Sequence, residues 1–196
     1  MTARIPEFPV DEQFTARWSP RSFAADTLSA EQLNSLFEAA RWAPSASNTQ
    51  PWRFAYALRG DAHWAGFVDC LVPANARWAQ NAAALIVVLS KTHAPKKDST
   101  ELAPLKNHAL DTGAAWANLY TQAHTLGLVT HAMGGYDDAK VRTLLNVPDH
   151  YAVQAMVAVG RQGPREALPE DLQGREQPSG RNPVSAFTGH GRLNWD

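Results

Sequence analysis

The chain has 196 residues, one domain's worth, and 44% of them are apolar, enough for a packed core and too many for wholesale disorder. Eighteen basic residues against nineteen acidic ones leave a formal net charge of −1, so the chain as a whole attracts neither nucleic acid nor anionic lipid. One cysteine, Cys70, excludes an intrachain disulfide and a CxxC redox or zinc site, and the longest apolar run, Ala82 to Leu89, falls far short of the roughly 20 residues a membrane helix needs. The opening MTARIPEFPV lacks the apolar stretch of a secretory signal, so the expectation is a soluble cytoplasmic protein with neither nucleic acid nor a membrane as partner.

Residues 1–28 are polar and broken by proline, and they carry a compact basic string, Arg17-Trp18-Ser19-Pro20-Arg21. Ser29 and Gln32 form a capping box, and Leu33, Leu36, Phe37 and Ala40 repeat at helical spacing until Pro44 stops the helix. A small-polar loop, residues 44–51, leads into a strand in which Trp52, Phe54, Tyr56 and Leu58 alternate with other residues before Gly60. Residues 61–71 and 73–82 read as short helices. Ala84 to Leu89 reads as a strand buried on both faces.

Residues 92–107 are polar and hold Pro95 and Pro104, so a loop or mobile cover is expected. A long helix follows over about 108–126, with Leu110, Ala114, Ala117 and Thr121 on one stripe and Gly127 as its left-handed cap. Leu128 to Met133 is a short strand ended by Gly134-Gly135. Asp137 caps a helix that runs to about Leu145, and Ala152 to Val159 is another strand. The order predicts an α+β or α/β domain around a small sheet, with residues 1–160 as its core. Residues 161–196, rich in proline and glycine but holding Phe187, Leu193 and Trp195, predict an extended arm that packs on a surface, with the partner subunit's as the candidate.

Most site chemistries are disfavoured. The seven histidines form no HxxxH or HExxH, so no metal site is expected. No GxSxG is present, although Ser45 and Ser47 lie in a loop after a helix, and neither GxxxxGK[ST] nor GxGxxG occurs. An anion site is better served. In an extended segment Arg17, Ser19 and Arg21 fall on one side of the chain, two guanidinium groups and a hydroxyl suited to a phosphate dianion, although a solvated basic turn gives the same string. Asn48 and Gln50 carry amides that both donate and accept, as the edge of an imide-like heterocycle requires, and ordinary turn chemistry also uses them. Gly134-Gly135 would let a ring approach the backbone closely, or simply make a tight turn.

Taken together, these strings resemble the FMN-dependent nitroreductase family. The resemblance begins at Arg17-Trp18-Ser19-Pro20-Arg21-Ser22-Phe23 and is strongest through Ala43-Pro44-Ser45-Ala46-Ser47-Asn48-Thr49-Gln50-Pro51-Trp52. It continues through Asp111-Thr112-Gly113, Met133-Gly134-Gly135-Tyr136-Asp137 and, more weakly, Ser179-Gly180-Arg181-Asn182-Pro183. It implies an α+β nitroreductase-like fold with a small central mixed sheet flanked by helices, in an intertwined homodimer with FMN at the subunit interface. Arg17 and Arg181 would then hold the FMN phosphate. Ser19 would bind the phosphate or ribityl chain, and Arg21 would lie nearer the ribityl chain or pyrimidine edge. Asn48 would bond that edge, with Trp18, Gln50 and Met133 in the same motifs, and Gly134 and Gly135 would present backbone near flavin N5 and O4. Ser45 would come from the other subunit. The implied activity is NAD(P)H-dependent reduction of a nitroaromatic, quinone or related acceptor by a ping-pong cycle. No side chain is implied as acid or base, and a flavin-dependent dehydrogenase, a dehalogenase or a non-enzymatic flavin-binding module are the alternatives.

Overall fold

A computed structural model describes residues 4–96, 98–193 and 195. In chain order the main elements are α1 (Glu12–Ala16), α2 (Ala30–Arg41), β1 (Trp52–Leu58), α3 (Trp64–Asp69), α4 (Pro73–Ala79), β2 (Ala84–Lys91), β3 (His93–Pro95), β4 (Leu102–Pro104), α5 (His108–Thr125), β5 (Val129–Met133), α6 (Asp138–Leu145), β6 (Tyr151–Gly160) and α7 (Glu170–Gln173).

The sheet has the order β1-β2-β6-β5. Each pairing among these strands is antiparallel, so within one chain the sheet is antiparallel where a mixed one was expected. β2 lies at its centre and is buried from Ala84 to Ser90, as its unbroken apolar run predicts. It feeds two cores. Leu85, Val87 and Leu89 face Phe67, Trp78 and Val141 on the α3, α4 and α6 side. Ala84, Ile86 and Val88 face Leu33, Leu36, Ala115 and Leu119 on the α2 and α5 side. The sheet is thus sandwiched between two helical layers.

Local chemistry sets the boundaries. The Ser29–Gln32 capping box is fully formed, a feature worth about 1 kcal/mol. Asp137 accepts the Lys140 N–H at 3.1 Å and starts α6, which Asn146 closes in a left-handed conformation.

Three expectations need correction. Residues 92–107 hold a short hairpin, β3 with β4, rather than an irregular loop. α5 buries Asp111, Thr112, Ala115, Leu119 and Ala123, whereas Leu110, expected on its packed stripe, is 74% exposed. The tail after Gly160 also begins by folding onto its own chain. Leu168 and Leu172 enter the core with Phe23 and Trp78, and Asp171 pairs with Arg77 at 2.7 Å. Beyond Gln177 it is largely exposed, and residues 194 and 196 of the expected arm lie outside the described residues.

Candidate functional site

The first part of the site is a cavity of about 730 Å³ between the two ends of the chain and the outer side of α5. Arg4, Arg17 and Arg181 all line it, together with Tyr120 and His124 of α5 and Phe187 of the tail. Arg17 is half-buried. Its guanidinium lies over the Tyr120 ring at 4.9 Å and points an N–H toward Ser19 Oγ at 3.5 Å. Burial lowers the Arg17 pKa and the charge of Arg181 lowers it further, with the Tyr120 hydroxyl opposing. Arg4 is depressed likewise, by burial first and then by Arg181 and Arg17. Among the described residues none of the three arginines has a carboxylate within salt-bridge distance. The one acid lining the cavity, Glu7, accepts the Val184 N–H at 2.9 Å. Like charges gathered without a counterion repel one another, so the arrangement fits an anion.

The segment that carries Arg17 and Ser19 is held from two sides. Glu176, only 9% exposed, accepts the Arg21 N–H on both carboxylate oxygens at 3.0 Å and the Ser22 N–H at 2.9 Å. His131 of β5 reaches the Pro20 carbonyl through Nδ1 at 3.0 Å. A carbonyl only accepts, so Nδ1 carries the hydrogen. The His131 ring packs on Trp78 at 4.7 Å, and its burial lowers its pKa. Arg21 does not line the arginine cavity. It lies against the tail, where Nη1 donates to the Arg175 carbonyl at 3.4 Å. Trp18 is half-buried beside Arg17.

The second part is the loop before β1. Ser47, Asn48 and Gln50 all have positive φ, at 51°, 54° and 45°. Asn tolerates this conformation, but for Ser and Gln it costs on the order of 1–2 kcal/mol each. Side-chain bonds help to hold the loop. Gln50 N–H donates to Ser45 Oγ at 3.0 Å, Gln50 Nε2 to Asn48 Oδ1 at 3.1 Å, and Ala46 N–H to Asp111 Oδ2 at 3.1 Å. Asp111 is buried in the first turn of α5, where an acid looks like ordinary helix chemistry, so its sequence position gives no hint that it anchors a loop 65 residues away.

The third part is the turn after β5. A Cβ on Gly135 would meet Asn75 Nδ2 at 2.6 Å and Val72 Cγ2 at 2.9 Å, so a side chain here would have to push aside Val72 and Asn75 at the start of α4. Gly134 is exposed, and a Cβ there meets nothing within 4 Å. Gly134→Ala is therefore expected to leave the melting temperature of the ligand-free protein within about 1 °C of wild type. Gly135→Ala should lower it by about 2–10 °C, from an overpacking cost of about 1–3 kcal/mol. Thermal melts of the two variants check this; equal melting points would remove the distinction. Met133 is a core residue, 3% exposed, with only its backbone on the turn.

One chain does not bring all of these parts to one place. Asp111, which anchors the loop, and Tyr120, which carries Arg17, are nine residues apart on α5. At 3.6 residues per turn that is about half a turn in angle and about 14 Å along the axis. The loop and the arginine cavity thus contact opposite sides and opposite ends of α5. The outer side of that helix lies open at Leu110 and Gly113, with Ala117 half-buried.

The nitroreductase family model matches residues 14–65 and 68–161, and the chain belongs to the nitroreductase family. It is similar over nearly its whole length to the crystal structure of an oxidoreductase containing FMN, with a TM-score of 0.96 and 42% identity covering 98% of this chain and 97% of that one. It is 28% identical to an NADH dehydrogenase of Thermus thermophilus, over 82% of this chain and 90% of that protein. A nitroreductase family protein from Streptococcus pneumoniae superposes with a TM-score of 0.72 at 20% identity, over 91% of this chain and 98% of that one, which speaks to the fold.

Proposed function

We propose that the protein is a cytoplasmic FMN-dependent oxidoreductase that takes reducing equivalents from NAD(P)H and passes them to a nitroaromatic, quinone or related acceptor. The observation that carries this is the cavity in which three arginines gather with no salt bridge among the described residues, its one acid, Glu7, being engaged by the Val184 N–H. The two named relatives, an oxidoreductase containing FMN and an NADH dehydrogenase, supply the cofactor and a donor.

In this proposal Arg17 and Arg181 bind the FMN phosphate, and Ser19 binds the phosphate or the ribityl chain. Arg21 lies toward the ribityl chain or pyrimidine edge. Asn48 and Gln50 offer amides to that edge, on a loop whose backbone strain is held by Ser45 and Asp111. Gly134 leaves open space on which a flat ring can rest. FMN, when bound, supplies the hydride-accepting and electron-donating centre. The protein binds and orients it, and no side chain is assigned as acid or base.

A homodimer completes the site. The open side of α5 and the exposed end of the tail are the surfaces it would cover, and the loop of one subunit, with its Ser45, would meet the arginine cavity of the other. Donor and acceptor use one cleft in turn.

The test is the visible spectrum of the purified protein before and after anaerobic NADH or NADPH. A flavin spectrum that bleaches is expected, followed by parallel double-reciprocal plots when donor and acceptor are both varied. A flavin spectrum that neither nucleotide bleaches sinks the donor assignment. A protein that stays colourless after incubation with FMN sinks the cofactor.

A further inference from the structure

Arg4 belongs to no string that the sequence singles out. It lies thirteen residues before Arg17, in an extended proline-broken segment. Yet Arg4 Nη1 donates to the Thr15 carbonyl at 2.8 Å and to the Arg17 carbonyl at 2.7 Å. Both carbonyls lie at the C-terminal end of α1. Those bonds tie the Arg4 guanidinium to the backbone that carries Arg17. Among the described residues the other nitrogens of Arg4 make no hydrogen bond, and no carboxylate pairs with them. The same guanidinium lines the cavity and feels the charges of Arg181 and Arg17.

A cation needed only to cap a short helix would be better placed away from two others. Repulsion within a trio is a standing cost, and it is offset only when an anion enters. We infer that Arg4 is a third phosphate-binding cation, brought into the arginine cavity by the N-terminal segment and directed at the phosphomonoester of the ligand. This rests on the proposed FMN reading of the cavity. It adds a residue from the N-terminal segment to a phosphate site otherwise built from Arg17, Ser19 and Arg181. A dianion bearing three oxygens has acceptors enough for all three guanidinium groups.

The experiment uses the full chain stripped of flavin and compares wild type with Arg4→Ala and Arg4→Lys. Flavin fluorescence titrations are run with FMN and with riboflavin, which lacks the phosphate, and a thermal melt of each unliganded variant records the cost of losing the α1 contacts. The expected result is an affinity for FMN about 10-fold weaker in Arg4→Ala, an unchanged affinity for riboflavin, and partial recovery of FMN binding in Arg4→Lys. Two results overturn the inference: FMN affinity unchanged in Arg4→Ala, or FMN and riboflavin weakened equally, which is the signature of a helix cap alone. A separate failure is distinguishable. If wild type binds FMN no more tightly than riboflavin, the cavity holds no phosphate, and the proposed cofactor placement falls together with the role of Arg4.

Discussion

Arg17→Ala is expected to weaken FMN binding by about 10- to 150-fold while leaving the unliganded protein about as stable as wild type. The first half follows from the loss of a charge-assisted contact to a phosphate, worth about 1.5–3 kcal/mol, with about 1.4 kcal/mol for each factor of ten in affinity. The second half follows from two opposed terms. Removing Arg17 forfeits its stacking on Tyr120, about 0.5–1 kcal/mol for a partly exposed pair. It also relieves the repulsion with Arg4 and Arg181, which offsets part of that loss. A surface arginine with a purely structural task gives the reverse pattern, lower stability and unchanged ligand affinity. Titration of the stripped protein with FMN and riboflavin, beside a thermal melt, separates the two. Wild-type FMN affinity in Arg17→Ala would remove this residue from the phosphate site.

Why this site is only partly legible in the sequence comes down to range. Arg17 and Ser19 are recognisable because their spacing in an extended segment is a local matter, and the structure does bring them side by side. The same spacing rule puts Arg21 with them, and there it fails. The Arg21 side chain lies against the Arg175 carbonyl, and its backbone is gripped by a residue 155 positions away. No local pattern encodes such a pairing. Arg4 and Asp111 escape for the same reason, because both act on backbone atoms contributed by other segments.

The fold shows a parallel split. β2, α2 and α6 follow from an apolar run, a capping box and an aspartate cap, all of them chemistry within a few residues. α1, β3 and β4 have only three to five residues each, too few for periodicity to register. α5 has apolar or small residues on most sides, so its pattern identifies a helix without choosing the side that packs. The stripe of Leu110, Ala114 and Ala117 is as apolar as the buried one, yet Leu110 is left open.

Glu176→Ala should cost more stability than any substitution in the arginine cavity. The carboxylate takes three hydrogen bonds from two backbone N–H groups, those of Arg21 and Ser22, the second fully buried. Burying a carboxylate is itself unfavourable, so its removal recovers some desolvation energy. Against that, two donors lose their acceptor, the Ser22 N–H in a buried place and the Arg21 N–H in a half-buried one, at about 1–3 kcal/mol each. The loss outweighs the recovery, because the charge is already satisfied by N–H contacts at 2.9 and 3.0 Å and lies near the Arg21 cation. The expected net is about 2–5 kcal/mol, a fall in melting temperature of about 5–15 °C for a chain of this size. Glu176→Gln keeps one acceptor oxygen and should fall between alanine and wild type. Because the freed segment carries Arg17 and Ser19, FMN affinity should drop in the same order, alanine below glutamine below wild type. A melt of Glu176→Ala within about 2 °C of wild type would show that the tail does not hold the segment, and that the carboxylate contacts only follow a backbone already fixed by the bridge between Phe23 and Gln162.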